Sequence, residues 1–315
     1  MLNLIFTLFT LINTITSLEV NSSYMYKYLD YIKDYNKEFV YDNFLTFKNN
    51  IDYIQKHNNL NNTYKLEINH LSDQNISSNP IIYQPTNSSY EGDDKNDFPP
   101  FSIDWREKGV ITNVKNQGHC GSCWSFSATG SIEAIHAIKT GMLLNISEQQ
   151  LVDCSVDYGN HGGQGGSMDS AFKYVIDNGL CSEQEYPYQG VEGQCMDCKG
   201  IINISDYKDV IPNNEEILKR VVHQQPVSIA IQANLKSFQL YSSGIYSDPS
   251  CGTQLDHGVL VVGYGHDMLH NMDYWIVKNS WGPLWGENGY IRIQRNIENS
   301  SGLCGIAMQP SIPIN

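Results

Sequence analysis

The pattern of hydrophobic and polar positions divides the chain into segments of different character. The first residues, up to about Ile12, form an apolar run that is too short to span a bilayer comfortably, and Asn, Thr and Ser follow it. We interpret residues 1–17 as a signal peptide. No later segment of the sequence is apolar enough to predict a membrane span.

A helical pattern follows over residues 20–60, which contain neither Gly nor Pro. Aromatic and aliphatic residues recur there at helical spacing, at Phe44, Phe47, Ile51 and Ile54. We therefore predict that this segment is helical.

Residues 74–98 form a polar linker. They are rich in Asn, Ser, Pro and Asp, a composition typical of exposed and easily cut chain. All eight cysteines lie beyond the linker, at or after Cys120, so we expect a disulfide-braced unit to begin near Pro99. The predicted division is a helical pro-segment with its linker over 18–98 and a mature domain over 99–315.

The mature part has helical patterns first and strand patterns afterwards. Apolar spacing predicts helices over 125–140 and 168–178, and Gly179 is a stop signal for the second. Runs rich in β-branched and aromatic residues predict strands in the second half. This order favours an α+β fold with two halves packed across a cleft. The predicted strands cover residues 227–231, 258–262, 274–277 and 290–293.

Composition and charge exclude some classes of function. The 315-residue chain has a formal net charge of −14. Phosphates would be repelled by such a surface, so we expect neither a nucleic-acid partner nor a polybasic membrane anchor. The cysteines and the N-x-S/T sequons agree with the signal peptide and favour the secretory pathway, with a lysosome-like compartment or the extracellular space as its end. The sequons begin at Asn21, Asn61, Asn75, Asn87, Asn145, Asn203 and Asn299.

The most informative stretch for chemistry is residues 117–126, QGHCGSCWSF. Cys123 stands where a glycine-rich turn gives way to a helix, and the positive end of the helix dipole favours thiolate, the nucleophilic form. A C-x₂-C pair also occurs in zinc sites, and Cys195 with Cys198 can supply a second pair. Neither pair accounts for the residues that follow, so we expect no metal and no cofactor.

A second stretch supplies a base for this thiol. His257 begins an apolar strand and is followed by Gly, which leaves room beside the ring. The neutral amide of Asn279 can accept a hydrogen bond from one imidazole nitrogen and fix the tautomer, and Trp281 can shield that bond from water. Gln117 can donate its side-chain amide to a developing oxyanion. The pattern predicts Cys123 as the nucleophile. It predicts that His257, Asn279, Trp281 and Gln117 support the reaction of that thiol.

These motifs resemble the papain and cathepsin family, within it the cathepsin L-like subgroup. C-G-S-C-W is the family's signature, and His257 and Asn279 follow Cys123 by 134 and 156 residues. The resemblance implies the precursor of a cysteine endopeptidase acting on proteins and peptides, and we expect a monomer. It also implies a two-subdomain fold, with a helical left half, a β-barrel-like right half and the active-site cleft between them.

The pro-segment resembles the family's inhibitory propeptide. Its residues match the later part of the helical ERFNIN pattern and then the GNFD element, which implies that the protein's own propeptide lies backwards through the cleft as an inhibitor. The Glu and Arg that begin the first pattern are missing, and Val40 and Phe44 stand there. The matching residues are Phe47, Asn50, Ile54 and Asn58, then Asn69, Leu71 and Asp73.

The resemblance also implies how substrate is bound. Gly165 and Gly166 let an extended substrate backbone approach, as glycines do. The wall of the S2 pocket is mostly apolar, so we expect an aliphatic or aromatic P2 residue, with a polar contact from the pocket floor. A His-rich occluding loop is absent from the sequence, which favours endopeptidase over exopeptidase activity. The S2 residues are Met168, Ala230, Leu255 and Gln309, and Trp281 completes the expected substrate-binding set.

The cysteines depart from the family at one position. Gly163 stands where the family has a cysteine, which removes the usual partner of Cys120. Sequence alone does not give connectivity, so a rearranged bridge from Cys120 stays open. The resemblance pairs Cys154 with Cys195 and Cys251 with Cys304, and the additional Cys181 and Cys198 can pair with each other or with Cys120.

Two other functions use the same residues. One is a binding module without activity, and the presence of the whole catalytic set speaks against it. The other is acyl transfer to an amine, which the pro-segment and the glycine-rich subsite disfavour. Lys278 has no comparable context, and we interpret it as a solvated strand residue.

Overall fold

The computed structural model of the protein describes residues 22–75, 88–92 and 98–315. The predicted signal peptide, most of the polar linker and the sequons at Asn21 and Asn87 lie outside these residues. Within the described ranges, no helix is both long enough and apolar enough to cross a membrane.

The segment predicted to be helical over residues 20–60 contains two helices. Helix α1 spans residues 22–34 and α2 spans Tyr41–Asn58. Between them Asn36 has a positive φ of 50°, a conformation that Asn tolerates and that ends a helix without Gly or Pro. The two helices pack through aromatic side chains. Their buried residues are Tyr28, Tyr31, Phe44, Phe47 and Ile51.

Helix α3 is the central helix of the mature part. It spans Cys123–Thr140, is buried along most of its length and ends at Gly141, whose φ of 75° is the left-handed conformation common after helices. Helix α5 covers Met168–Asn178, the predicted range, with the Ser167 hydroxyl accepting from Asp169 N–H as its N-cap. The other helices of the described mature part are α4 (Glu148–Cys154), α6 (Glu215–Gln224) and α7 (Lys236–Gln239).

The strands predicted from the sequence form the middle of one sheet. They are β4 (Val227–Ile231), β6 (His257–Asp267), β7 (Met272–Lys278) and β8 (Tyr290–Gln294). Strand β6 pairs antiparallel with β4 on one side and β7 on the other. Strands without a clear pattern of their own complete the sheet. They are β1 (Tyr64–Leu66), β2 (Ile103–Asp104), β3 (Asp206–Asp209), β5 (Tyr241–Tyr246) and β9 (Ser311–Ile314).

Neighbouring strands follow the order β1-β5-β8-β7-β6-β4-β9-β3, and β2 pairs with β6 outside this path. The pro-segment therefore supplies one edge of the sheet through β1, which lies antiparallel to β5.

Two hydrophobic cores support the two halves of the mature part. The helical half packs around α3, with Trp124 fully buried, and the sheet half packs around Trp275 and Trp285. Helix α3 joins the halves, since the Ser127 hydroxyl donates to the Val259 carbonyl of β6 at 2.7 Å. Helices followed by strands in two packed halves confirm the predicted α+β class.

Three disulfides and two free cysteines lie in the mature part. Cys120 and Cys123 are free and buried. A Cβ built on Gly163 would stand 2.9 Å from Cys120 Sγ, and in a disulfide the partner's Cβ lies about 3 Å from Sγ. Gly163 does not have a positive φ, so a side chain fits its backbone. The disulfides join Cys154 to Cys195, Cys181 to Cys198 and Cys251 to Cys304.

We expect the substitution Gly163→Cys to form a disulfide with Cys120. The new loop restricts the unfolded chain, and such crosslinks stabilise the folded state by about 2–4 kcal/mol. The count of free thiols after denaturation without reductant should therefore fall from the wild type's two to one instead of rising to three, and the thermal unfolding midpoint should rise by several degrees relative to the Gly163→Cys, Cys120→Ser double variant.

That double variant is the matched control, because it keeps the new cysteine and cannot form the bridge. Equal unfolding midpoints for the wild type and the single variant, or an extra reactive thiol at the single variant's Cys120, would contradict the expected pairing. Mass mapping of the crosslinked peptide identifies the two cysteines directly.

Candidate active site

Cys123 is the first residue of α3, at the positive end of the helix dipole. Its side chain is buried, and the backbone N–H of Gly258 donates to Cys123 Sγ at 3.3 Å. Glycine is favoured at position 258 because a Cβ there would stand 3.1 Å from Trp124 Cα and 3.2 Å from Trp124 N, which is tighter than most Cβ contacts. The start of α3 and the start of β6 thus approach each other closely at the thiol.

His257 is the first residue of β6, and Asn279 follows the last residue of β7. His257 Nε2 lies 2.7 Å from Asn279 Oδ1. An amide oxygen accepts, so Nε2 carries the hydrogen and Nδ1 is the basic nitrogen of the neutral ring. The Trp281 ring lies over the imidazole, with 4.9 Å between ring centroids and 36° between planes. The structure therefore brings together the three residues that the sequence singled out.

Gln117 is held at both ends of its amide. Its Nε2 donates to the Cys120 carbonyl at 2.8 Å, and its Oε1 accepts from the Ser280 hydroxyl at 2.6 Å. The Gln117 N–H also donates to the Ser280 carbonyl at 2.8 Å. The second hydrogen on Nε2 is left for a ligand. Sequence reasoning missed Ser280, although its place directly after Asn279 was a signal.

A cavity of about 350 Å³ contains these groups and separates the mature part from the pro-segment. Cys123, His257 and Gln117 line one side of it. Residues from three parts of the pro-segment line the other side, so the pro-segment covers the catalytic groups. The pro-segment residues are Tyr35, Lys37, His70, Leu71, Gln74 and Asn75.

Burial under this cover favours the neutral forms of both catalytic groups. It raises the pKa of the Cys123 thiol to about 11, against the opposing effect of the Gly258 N–H. It lowers the pKa of His257 to about 4, against the opposing effect of the Asn279 hydrogen bond. The covered site consequently holds a thiol and a neutral imidazole at neutral pH.

An ion pair braces the pro-segment at Asp73, the last residue of its second matched element. The partly buried Lys37 pairs with the buried Asp73 carboxylate and donates to the His70 carbonyl at 2.6 Å. Tyr31 donates its hydroxyl to Asp73 at 3.0 Å. Phe44, at a position where the pattern has a charge, is buried in the aromatic core of the pro-segment instead. The acidic end of the pattern is therefore kept and its cation comes from the loop after α1.

The expected S2 residues lie in and around the helical core. Met168 and Ala230 are fully buried in the same cluster as Cys123, and Leu255 packs against that cluster. Gln309 is 3% exposed, and neither of its amide atoms has a hydrogen-bond partner among the described residues. A buried amide without a partner is rare in folded proteins, and such a group is available to a ligand.

The two expected backbone-binding glycines sit beside this cluster. Gly165 has a φ of 115°, which favours glycine. A Cβ on Gly166 would stand 2.5 Å from Asn160 Oδ1 and 2.7 Å from the Trp124 ring, so no side chain fits there. The structure therefore favours glycine at both positions.

One expectation is wrong. Lys278 is buried rather than solvated, and its Nζ donates to the Thr112 hydroxyl at 3.0 Å. Burial lowers the pKa of Lys278 to about 8. Nearby, Lys115 bridges Glu133 and Glu148 at 3.1 and 2.6 Å. Strand periodicity could not indicate this cluster, because its members come from distant parts of the chain.

The alternative that the cysteines of the two C-x₂-C pairs bind zinc is excluded because two of the four form disulfides. Cys195 and Cys198 are both in disulfides, so they offer no thiolate to a metal. Among the described residues, no group of three or more His, Cys, Asp and Glu side chains is placed to hold a metal ion.

Two family models match the chain. Residues 99–314 match the papain family cysteine protease model, and residues 28–76 match the cathepsin propeptide inhibitor domain (I29). The first match covers more than half of the chain. The chain belongs to the papain family of cysteine proteases.

Relatives in plants and insects show the extent of this likeness. The chain is 46% identical over 284 residues to cysteine proteinase RD21A of Arabidopsis thaliana, covering 86% of this chain and 61% of the relative. It is 53% identical over 219 residues to cathepsin L of Sarcophaga peregrina, covering 68% of this chain and 63% of the relative. The chain thus spans less than two thirds of the length of either relative.

Solved precursors share the whole architecture. The proform of Amb a 11, a cysteine protease and major ragweed pollen allergen, matches with a TM-score of 0.86 at 39% identity, covering 93% of this chain and 95% of that one. Recombinant stem bromelain precursor matches with a TM-score of 0.85 at 38% identity, covering 93% and 99%. These likenesses confirm the papain-like fold preceded by a helical propeptide.

We expect the alkylation rate of Cys123 in the intact precursor to follow the raised pKa of its thiol. Because thiolate is the reactive form, the rate with iodoacetamide should rise about tenfold per pH unit from pH 7 to 10. Mass spectrometry of the Cys123 peptide after short exposures measures this rate.

The same peptide alkylated in concentrated urea is the control, since an unfolded thiol titrates near about 8.5 and its rate levels off above that pH. A rate in the folded precursor that is already at its plateau at pH 7 would mean that Cys123 is a thiolate under the pro-segment, contrary to the expected neutral pair.

Proposed function

We propose that the chain is the zymogen of a cysteine endopeptidase that hydrolyses peptide bonds through Cys123 and His257. The observation that carries the proposal is the 2.7 Å contact between His257 Nε2 and Asn279 Oδ1, with His257 lining the same cavity as the Cys123 thiol at a helix N-terminus. An oriented base next to an activated thiol is the arrangement that nucleophilic acyl transfer needs. Membership of the papain family supports it.

In the reaction, His257 takes the proton of Cys123, and the resulting thiolate and imidazolium stabilise each other. The thiolate attacks the scissile carbonyl carbon. The Cys123 N–H and the free hydrogen of Gln117 Nε2 donate to the oxyanion, each donor contributing about 3 kcal/mol. The C–N bond then breaks, the imidazolium protonates the leaving amine, and a thioester stays on Cys123.

Deacylation reverses these roles. His257 takes a proton from water, which attacks the thioester, and the carboxylic acid product leaves as the thiol is restored. Asn279 holds the ring in one orientation throughout, and the Trp281 ring limits access of water to that hydrogen bond.

The pro-segment is the proposed inhibitor of this site. It covers the cavity and keeps both reacting groups neutral, so cleavage in the linker before about Pro99 would uncover and hydrate them. The predicted signal peptide supports synthesis in the secretory pathway, with a lysosome-like or extracellular destination.

Acidification of the purified precursor under mild reductant tests the proposal. The wild type should shorten itself near residue 98 and then cleave a peptide with an apolar P2 residue, and Cys123→Ala should do neither. Trans-processing of Cys123→Ala by added wild-type enzyme shows that the variant is folded and cleavable.

No hydrolysis by a correctly shortened wild type would argue for a binding module instead. A product carrying an added amine in preference to water would argue for acyl transfer. Either result would overturn the proposed hydrolase.

We propose that the enzyme prefers an apolar or aromatic P2 residue. Met168, Ala230 and Leu255 supply the apolar wall, and a charged P2 side chain would lose its hydration there without a partner. Gln309 adds a neutral amide that can reach a hydroxyl.

We expect Gln309→Leu to lower kcat/KM for a P2 Tyr substrate by about two- to tenfold relative to the matched P2 Phe substrate, because one hydrogen bond is lost. Phe and Tyr differ only in the hydroxyl, so the ratio of the two rates removes general effects of the substitution. An unchanged Tyr-to-Phe ratio would show that Gln309 does not contact the P2 side chain.

A further inference from the structure

The pro-segment is bound to the mature part outside the cleft as well as over it. Tyr64 and Leu66 of β1 pair with Gly244 and Tyr241 of β5 in antiparallel register. Beyond the strand itself, Ile245 N–H donates to the Thr63 carbonyl at 2.9 Å. Backbone hydrogen bonds of this kind do not depend on sequence, so this edge can accept other extended chains.

Two side chains of β1 enter the core of the sheet half. Leu66 is fully buried and Tyr64 is 5% exposed, with its ring 4.9 Å from the ring of Tyr246. The Tyr64 hydroxyl lies 3.4 Å from Asp248 Oδ2. The mature part therefore offers an aromatic pocket that accommodates a residue with an aromatic hydroxyl and, two positions later, an aliphatic residue. The mature residues that form this core include Phe238, Tyr241, Tyr246 and Trp285.

Gly244 allows the close approach of the bound strand. A Cβ built there would stand 2.3 Å from the Thr63 carbonyl oxygen and 2.7 Å from Tyr64 Cα. The three atoms nearest to that Cβ all belong to the pro-segment. The surface is therefore shaped for a backbone lying directly on it.

This edge is continuous with the active-site cavity. From Leu66 the chain reaches Gln74, which lines the cavity with Cys123 and His257. On the way Gln239 of α7 donates through Nε2 to the carbonyls of Leu71 and Gln74 at 2.7 and 2.8 Å. One polypeptide can thus occupy the cavity and the edge of the sheet together.

Removal of the pro-segment exposes both the unpaired edge of β5 and the aromatic pocket that Tyr64 and Leu66 fill. We propose that in the processed enzyme this edge is an exosite for protein substrates, which binds an extended segment with an aromatic residue followed two positions later by an aliphatic one. The inference rests on the proposed peptidase function, because a substrate held in the cleft is the polypeptide whose further chain can reach β5. The exosite selects long substrates by a feature remote from the bond that is cut.

Three substrates test the exosite with enzyme obtained by processing of the full chain. The first is a short peptide that fills the cleft alone. The second carries in addition, through a flexible linker of about ten Gly and Ser residues, the segment Thr-Tyr-Lys-Leu-Glu found at residues 63–67. The third is identical to the second except that Ala replaces Tyr and Leu in that segment. The second and third substrates are each made in two versions, with the segment before or after the cleavage site.

We expect kcat/KM for the second substrate to exceed that for the third by about tenfold, with kcat unchanged, because the second binding event is intramolecular. A free peptide of residues 60–67, which lacks the part that covers the cavity, should abolish this difference and leave hydrolysis of the short peptide unaffected. This competition needs no substitution in the enzyme.

The variant Gly244→Ala should remove the advantage of the second substrate, because its Cβ would clash with a bound backbone and because a φ of 92° disfavours a side chain there, while the short peptide is cleaved at the wild-type rate. Equal rates for the second and third substrates in both versions would overturn the exosite alone. Failure to cleave any of the three would overturn the proposed function, and the exosite with it.

Discussion

The close approach of helix α3 to strand β6 at Gly258 is the constraint on which the site depends. Any side chain there would meet the backbone of Trp124. Since Cys123 begins the helix and His257 begins the strand, this one contact brings thiol and imidazole to the boundary of two separately packed halves. Hydrogen bonds between α3 and β6, such as that from Ser127, hold the boundary in place.

The same boundary carries buried charge. Lys115 and Lys278 lie with Glu133 and Glu148 behind the catalytic residues. Removing one member would leave an unpaired charge in a water-poor interior, which costs several kcal/mol, so the cluster fixes which surfaces of the two halves face each other. Asn279, one residue after Lys278, receives its position from this packing.

The proposed inhibition in the precursor has an electrostatic part as well as a steric one. Burial moves the pKa values of Cys123 and His257 in opposite directions, and both shifts oppose the charged pair that catalysis requires. The Lys37–Asp73 ion pair holds the pro-segment's own fold, and β1 binds the pro-segment to β5 away from the cleft. The bound edge of β5 belongs to the mature part and would be kept after the proposed processing.

The sequence by itself determined the class of fold, the helices and strands with strong periodicity, and the candidate nucleophile, base and amides, because these depend on local spacing and on motif chemistry. It did not show that Asn36 separates two helices within residues 20–60 or that Lys278 is buried. It also did not show that β1 and β5, two strands of weak pattern, pair with each other. Those features depend on which distant residues meet, and burial, pKa and strand partnership arise only from that contact. The tertiary structure alone decided them.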